Sequence, residues 1–173
     1  MLGKLRLVSL LIKVCGVKNE YDFIQLSGLD IDYIGINLSP SSKRSVSLEQ
    51  AKKLLVKMEQ YTDAKPVILF YKQREVEVDS AIEELTKLSI PFYIQLYSFE
   101  LLTKFRKYKE RLFFSLNSAL DYKSAKDNTG FVIFEASSPG AGIYEDRDLP
   151  VPLPGFLAGG LNPENVKAAV EKY

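Results

Sequence analysis

The sequence predicts an α/β fold whose parallel strands curl into a barrel, and three observations predict it. Short β-rich apolar runs alternate strictly with segments of helical period along all 173 residues. Such alternation builds a parallel sheet, either doubly wound or barrel-shaped. A doubly wound sheet normally carries a Gly-rich fingerprint after its first strand, and "CGVKNEY" has only one glycine there. Polar residues stand at or just past the C-terminal ends of successive strands: Cys15, Asn37, Tyr71, Gln95, Asn117 and Glu135, with Gly159 in the same place on the seventh. Barrel enzymes build their sites on that face. The expected architecture is therefore of the (β/α)8 TIM-barrel type, present as seven βα units in one domain over 1–173, with no linker or strong internal repeat.

Each element follows from a local pattern. "LIKVCG" is the first strand, followed by a helical pattern over 19–26. "YIGINL" leads through a Ser-rich loop to "SLEQAKKLLVKMEQY", where Leu48, Ala51, Leu54, Leu55 and Met58 recur at helical spacing. "KPVILFY" precedes a helix over 75–88, "PFYIQLY" one over 99–108, and "RLFFSLN" a weaker pattern over 118–125. "GFVIFEA" runs into "SSPGAGIYED", which has no clear helical period. "GFLAGGLNPENV" reads as a strand, a double glycine, and Asn-Pro opening a helix over 163–172, since Pro suits the first helical turn. Period-2 alternation places Lys13 with Cys15, and Phe131 and Ile133 with Glu135, each on one side of its strand. In a barrel the polar-ended side faces inward.

Composition narrows the chemistry. A chain that is 46% hydrophobic can bury a sizeable core. Lys+Arg 23 against Asp+Glu 22 is balanced, with no basic block, which argues against nucleic acid or an anionic membrane as partner. The start, "MLGKLRLVSLLIKV", has early cations and then an apolar run, but Ser9 and Lys13 interrupt it and no small-residue cleavage site follows. No stretch approaches the length of a membrane span. The single cysteine cannot form an intramolecular disulfide and suits a reducing, cytoplasmic setting. The chain contains no histidine. That excludes Ser-His-Asp and Cys-His nucleophile pairs and the commonest zinc and iron ligand sets. Chemistry here must run on carboxylates, the thiol, Lys, Tyr or backbone dipoles.

Four features carry candidate chemistry. Cys15 alone would be an ordinary core cysteine; sharing a strand face with the cation Lys13 makes its reactive thiolate form more accessible. Glu135 ends the apolar strand "FVIFE", where an unpaired charge is costly. It is either a rim carboxylate in water or a general acid kept protonated by apolar surroundings. "SSPGAG" and "AGGLNPEN" both follow strands and are either tight turns or a paired phosphate cradle, Gly140, Ala141 and Gly142 with Gly159 and Gly160. Arg44, in "SPSSKRSVS", is either solvated or placed to grip a carboxylate with its planar fork.

Together these residues resemble one family over nearly the whole chain, the phosphoribosylanthranilate isomerases of tryptophan biosynthesis. "IKVCG" is similar to the family's Lys-(Ile/Val)-Cys-Gly start, whose cysteine is the general base, implying that role for Cys15. "SKRSVSLEQA" resembles the stretch whose arginine holds the anthranilate carboxylate, implying Arg44. "IQLYS" is similar to Gln-Leu-His-Gly, with Gln95 and Leu96 kept and Tyr97 and Ser98 in place of His-Gly. "LAGGLNPENV" resembles the seventh-strand phosphate loop almost letter for letter. The family's acid is an aspartate ending the sixth strand, and Glu135 stands there instead. The family's Gly-Gly-Thr-Gly phosphate loop corresponds only to Gly140-Ala141-Gly142. Family members continue into an eighth strand, with a further phosphate loop, and an eighth helix; the expectation is that this unit is missing here.

The resemblance implies an Amadori rearrangement of N-(5-phosphoribosyl)anthranilate. An acid protonates the furanose ring oxygen, the ring opens to an iminium, and a base removes the C2 proton. The enolamine then tautomerises to a ketone. No metal or redox cofactor is needed, so none is expected, and the implied partner is a phosphorylated small molecule held by Lys13, Arg44, Gln95 and the glycine loops. The altered acid and phosphate loop leave two alternatives, a non-catalytic binder of phosphorylated ligands and another sugar-phosphate isomerase on the same scaffold. "LVSLLIKV" has neither the crossover nor the hairpin turn needed to fill the place between the seventh and first strands. Both edges are therefore expected to stand open, inviting homo-oligomerisation or low stability.

Overall fold

The computed structural model describes residues 10–136, 144, 149 and 155–173. Its centre is a seven-stranded sheet in the order β1-β2-β3-β4-β5-β6-β7, every pairing parallel. The strands are β1 (Lys13–Cys15), β2 (Tyr33–Asn37), β3 (Lys65–Leu69), β4 (Tyr93–Leu96), β5 (Leu112–Leu116), β6 (Phe131–Phe134) and β7 (Phe156–Leu157). Between them run α1 (Glu20–Ser27), α2 (Leu48–Tyr61), α3 (Glu75–Thr86), α4 (Phe99–Lys104) and α5 (Tyr122–Lys126), and α6 (Val166–Lys172) follows β7. Among the described residues β1 and β7 are the two edges of the sheet and do not pair with each other.

The helices start where the sequence supplies caps. Asn19 accepts the Asp22 N–H at 2.8 Å ahead of α1. Ser47 and Gln50 form a reciprocal capping box at α2, at 3.2 and 3.0 Å, satisfying two donors that a helix start otherwise leaves open. The expected helix over 99–108 is divided: α4 ends at Lys104, and 106–111 tightens into a 3-10 turn. The helix expected from Pro163 begins instead at Val166. Asn162 Oδ1 takes the N–H groups of Glu164 and Asn165, both at 3.0 Å, and folds that stretch into a turn.

Alternation along the strands separates two cores. One side of each strand points toward the helices, where Ile34, Ile36, Ile68, Ile94, Phe114 and Phe134 pack with Leu55, Met58, Ile82 and Leu85. The other side lines the concave face, closed at its lower end by Tyr33, Val67, Phe113 and Ile133 with Tyr93, Phe131 and Phe156. The Tyr33 ring meets Phe113 edge-on at 5.1 Å and Tyr93 at 5.4 Å, and Phe113 stacks on Phe131 at 4.4 Å. These rings form a solid floor, and the polar residues stand on it.

Candidate active site

Above the floor, at the C-terminal ends of the strands, lies a cavity of about 430 Å³. Lys13 and Cys15 reach it from β1, Asn37 from β2, Arg44 from the loop after β2, and Gln95 from β4. Tyr97 and Glu135, just past β4 and β6, complete its polar wall. This is the carboxyl end of the strands, where backbone direction and loop length leave room for a ligand.

The thiol owes its place to two glycines. Cys15 pairs with Gly35 across β1 and β2, and a Cβ at Gly35 would stand 2.7 Å from Cys15 Sγ. Only glycine leaves the sulfur its space. Gly16 then turns the chain at φ 93°, donating its N–H to Gly35 O at 2.8 Å. A left-handed φ of that size favours glycine.

Arg44 lies across this turn. Its Nη1 donates to Cys15 O at 2.8 Å, and a Cβ on Gly16 would fall 2.6 Å from Arg44 Cδ. The loop that carries it is tied down by Ser42 Oγ, which accepts the Arg44 N–H at 3.1 Å, and by Val46 N donating to Asn37 O at 2.9 Å. A guanidinium has five donors; the fork, lining the cavity while bonded to Cys15, can offer others to an anionic ligand.

On the opposite wall Glu135 is drawn into a polar group. Gln95, 2% exposed, donates Nε2 to Tyr97 Oη and to Ser115 Oγ, both at 2.9 Å. The Ser115 and Tyr97 hydroxyls stand beside the Glu135 carboxyl, and both favour its charged form. Burial pushes that carboxyl above the ordinary carboxylate range, against the pull of the two hydroxyls and of the Lys13 and Arg44 charges. Burial also pushes the Tyr97 phenol up, reinforced by Glu135 and Cys15, so Tyr97 keeps its proton and acts as a hydroxyl donor. The Tyr97 ring is braced edge-on by Tyr71 at 4.9 Å. Tyr71 is held by its N–H donating to Ser39 Oγ at 2.7 Å.

The structure thus brings Lys13, Cys15, Arg44, Gln95 and Glu135 around one cavity. Gly159 and Gly160 follow Ala158, which lines it, and carry left-handed φ values of 100° and 66°. Gly140, Ala141 and Gly142 lie outside the described residues. Ser115 is a cavity-side residue that the expected polar end of β5, Asn117, does not mark. Asn117 is exposed, whereas Ser115, two residues after Phe113, shares its inward side. Counting alternation from Phe113 was the signal that could have found it. Among the described residues no group of three or more His, Cys, Asp or Glu side chains could hold a metal, and no helix is long and apolar enough to cross a membrane.

Comparison with known proteins points the same way as the geometry. A family model described as N-(5'phosphoribosyl)anthranilate (PRA) isomerase matches residues 12–173. An N-(5'-phosphoribosyl)anthranilate isomerase of Maridesulfovibrio salexigens is 31% identical over 182 residues, covering 95% of this chain and 83% of its own length. One from Campylobacter jejuni is 32% identical over 167 residues, covering 92% and 82%. The crystal structure of phosphoribosyl anthranilate isomerase from Thermotoga maritima superposes with a TM-score of 0.73 at 24% identity, over 94% of this chain and 83% of that one. At that identity the superposition speaks for the fold, a barrel of the TIM type.

Proposed function

This chain belongs to the N-(5'-phosphoribosyl)anthranilate isomerase family, and from that premise we propose that it isomerises N-(5'-phosphoribosyl)anthranilate to the 1-deoxyribulose 5-phosphate in tryptophan biosynthesis. The observation that carries the reading is one cavity holding a thiol, a buried carboxyl and a guanidinium on different strands or loops.

Each step has a group for it. Glu135, which burial favours in its protonated form, gives its proton to the furanose ring oxygen while the C1–O bond breaks and the anilino nitrogen supplies the electron pair for the iminium. Cys15, as thiolate, takes the C2 proton, and the C2–H electron pair forms the enolamine. Tautomerisation moves a proton onto C1 and leaves C2 as the ketone. Glu135 regains a proton and Cys15 loses one, so the cycle closes with no net transfer. General acid and base groups of this kind each contribute about 100- to 10,000-fold. Arg44 takes the anthranilate carboxylate, Lys13 and Gln95 line the sugar's path, and the loop at Gly159 and Gly160 takes the phosphate together with Gly140, Ala141 and Gly142. The domain acts as one unit over 1–173.

Turnover tests the reading. Loss of anthranilate-ribonucleotide fluorescence on adding the protein is the expected result, abolished or slowed about 100-fold by Cys15→Ser. No turnover alongside measurable binding of the phosphorylated substrate would favour a binding protein instead.

A further inference from the structure

Glu135 differs from a simple buried carboxyl in what surrounds it, and the surroundings are ordered by one amide. Gln95 Nε2 donates to both Tyr97 Oη and Ser115 Oγ at 2.9 Å. An oxygen that accepts there has its own hydrogen left to point elsewhere, and both hydroxyls stand close enough to Glu135 to favour its charged form. The amide donates to both hydroxyls, which leaves the hydrogen of each free to face the carboxyl, with Ser115 also beside Tyr97. The parts cannot swing freely, because Gln95 and Ser115 are buried at 2% and 7% exposure and the Tyr97 ring is held edge-on by Tyr71.

We propose that Tyr97 and Ser115, oriented by Gln95, are positioning residues that hold the Glu135 carboxyl at the cavity and receive the negative charge it takes on when it releases its proton. This rests on the reading of Glu135 as the acid, and deepens it. When the proton passes from the Glu135 carboxyl to the ring oxygen of the substrate, the electron pair of the O–H bond stays on the carboxylate. Two hydroxyl donors then bond an anion in place of a neutral group, and such charge-assisted bonds are about twice as strong. Because the donors are in place beforehand, no reorganisation is needed as charge develops. A carboxyl with burial alone would hold its proton too tightly to be a good acid. Among the described residues, Lys13 from β1 and Arg44 from the loop after β2 also act on Glu135, both attractive to the carboxylate; Cys15 of β1 lines the same cavity.

The test reads Glu135 directly. Infrared difference spectra between the wild-type chain and Glu135→Gln isolate the carbonyl stretch of the protonated carboxyl, which is titrated with pH. In Tyr97→Phe, which keeps the ring and its contact with Tyr71, the midpoint of that band should move up by roughly one pH unit, since a donor to the charged form is lost. Ser115→Ala should move it the same way, and serves where Tyr97→Phe does not fold. Turnover gives the second readout: kcat about 10-fold lower with KM within about two-fold. Adding Tyr97→Phe to Glu135→Gln should cost nothing further, because both changes strike one step. A midpoint unmoved in both variants, or an additive loss in the double variant, overturns the proposal. A shifted midpoint in a protein that does not isomerise the substrate upholds the hydroxyl pair and sinks the functional reading instead.

Discussion

Arg44 reaches back over Gly16 to donate from Nη1 to the carbonyl oxygen of Cys15 at 2.8 Å. The residue expected to grip the substrate carboxylate is thereby fixed to the backbone of the residue expected to take its proton. Gly16→Ala tests this coupling. Its Cβ would sit 2.6 Å from Arg44 Cδ at a φ of 93°, where side chains are strained. Arg44 must give way, so KM should rise about 10-fold or more with a smaller change in kcat, the mark of lost ground-state binding. Steady-state kinetics with KM unchanged would show that Arg44 does not hold the substrate.

Gly35 controls the thiol in a similar way. A methyl group there would stand 2.7 Å from Cys15 Sγ and 3.1 Å from its Cα, so sulfur or strand must move. A displacement of about 1 Å costs on the order of 100-fold in rate when it misplaces a reacting group. Gly35→Ala is expected to lower kcat by that order while substrate binding, followed by calorimetry, holds. Undiminished kcat would remove the thiol from the chemistry.

The sequence made the strands and most of the cavity wall legible because both obey simple periods. Period 2 put Lys13 with Cys15 and Ile133 with Glu135, and all four line the cavity. What hid were contacts between strands that period cannot pair. Ser115 meets Gln95 across β4 and β5, whose register sets Gln95 beside Phe113 and not beside Ser115. No reading of "LFFSL" alone shows that. Tyr97 is visible as a replacement for His, but its approach to Glu135 spans β4 to β6. At α6 the Asn162 side chain caps the stretch that Pro163 opens, taking the Glu164 and Asn165 N–H groups. The Asn162 backbone carbonyl accepts the Val166 N–H at 3.0 Å, so the first turn is helical in its bonding although the regular helix begins at Val166.

The aromatic floor should dominate stability. Phe113 is fully buried and touches Tyr33, Tyr93, Phe131 and Phe156. Phe113→Ala leaves a void beneath the cavity and is expected to cost about 3–5 kcal/mol, read from urea unfolding. A loss below about 1 kcal/mol would mean that the floor repacks.

Stability should also depend on pH through Glu135. Its carboxyl, raised by burial above the usual 4.5, keeps a proton in the folded chain at pH values where the unfolded chain has released it. Unfolding then loses that proton, so stability falls as pH rises from 4.5 through the raised value, and is fully present below 4.5. Glu135→Gln cannot titrate and should remove that part of the slope. Unfolding free energies measured between pH 4 and pH 8 should fall less in the variant than in the wild-type chain. Parallel curves would show that Glu135 titrates alike in both states.

The loop after β7 separates two glycine roles. A Cβ at Gly159 would meet Ala136 Cβ at 2.6 Å and its N at 2.7 Å, so Gly159→Ala should chiefly destabilise the chain. Gly160 is held from behind: Asn165 Nδ2 donates to its carbonyl at 2.9 Å while Asn165 Oδ1 accepts the Asn162 N–H at 2.8 Å. With the N–H groups of Glu164 and Asn165 already taken by Asn162, an incoming phosphate should rely on the backbone around Gly160 more than on the following turn. A valine at Gly160 would block that approach and strain a φ of 66°. Calorimetry with ribose 5-phosphate should show affinity falling about 10-fold or more in Gly160→Val, a loss of one good hydrogen bond to a charged group. Circular dichroism would confirm that the variant is folded. Affinity unchanged in that folded variant would place the phosphate elsewhere in the barrel.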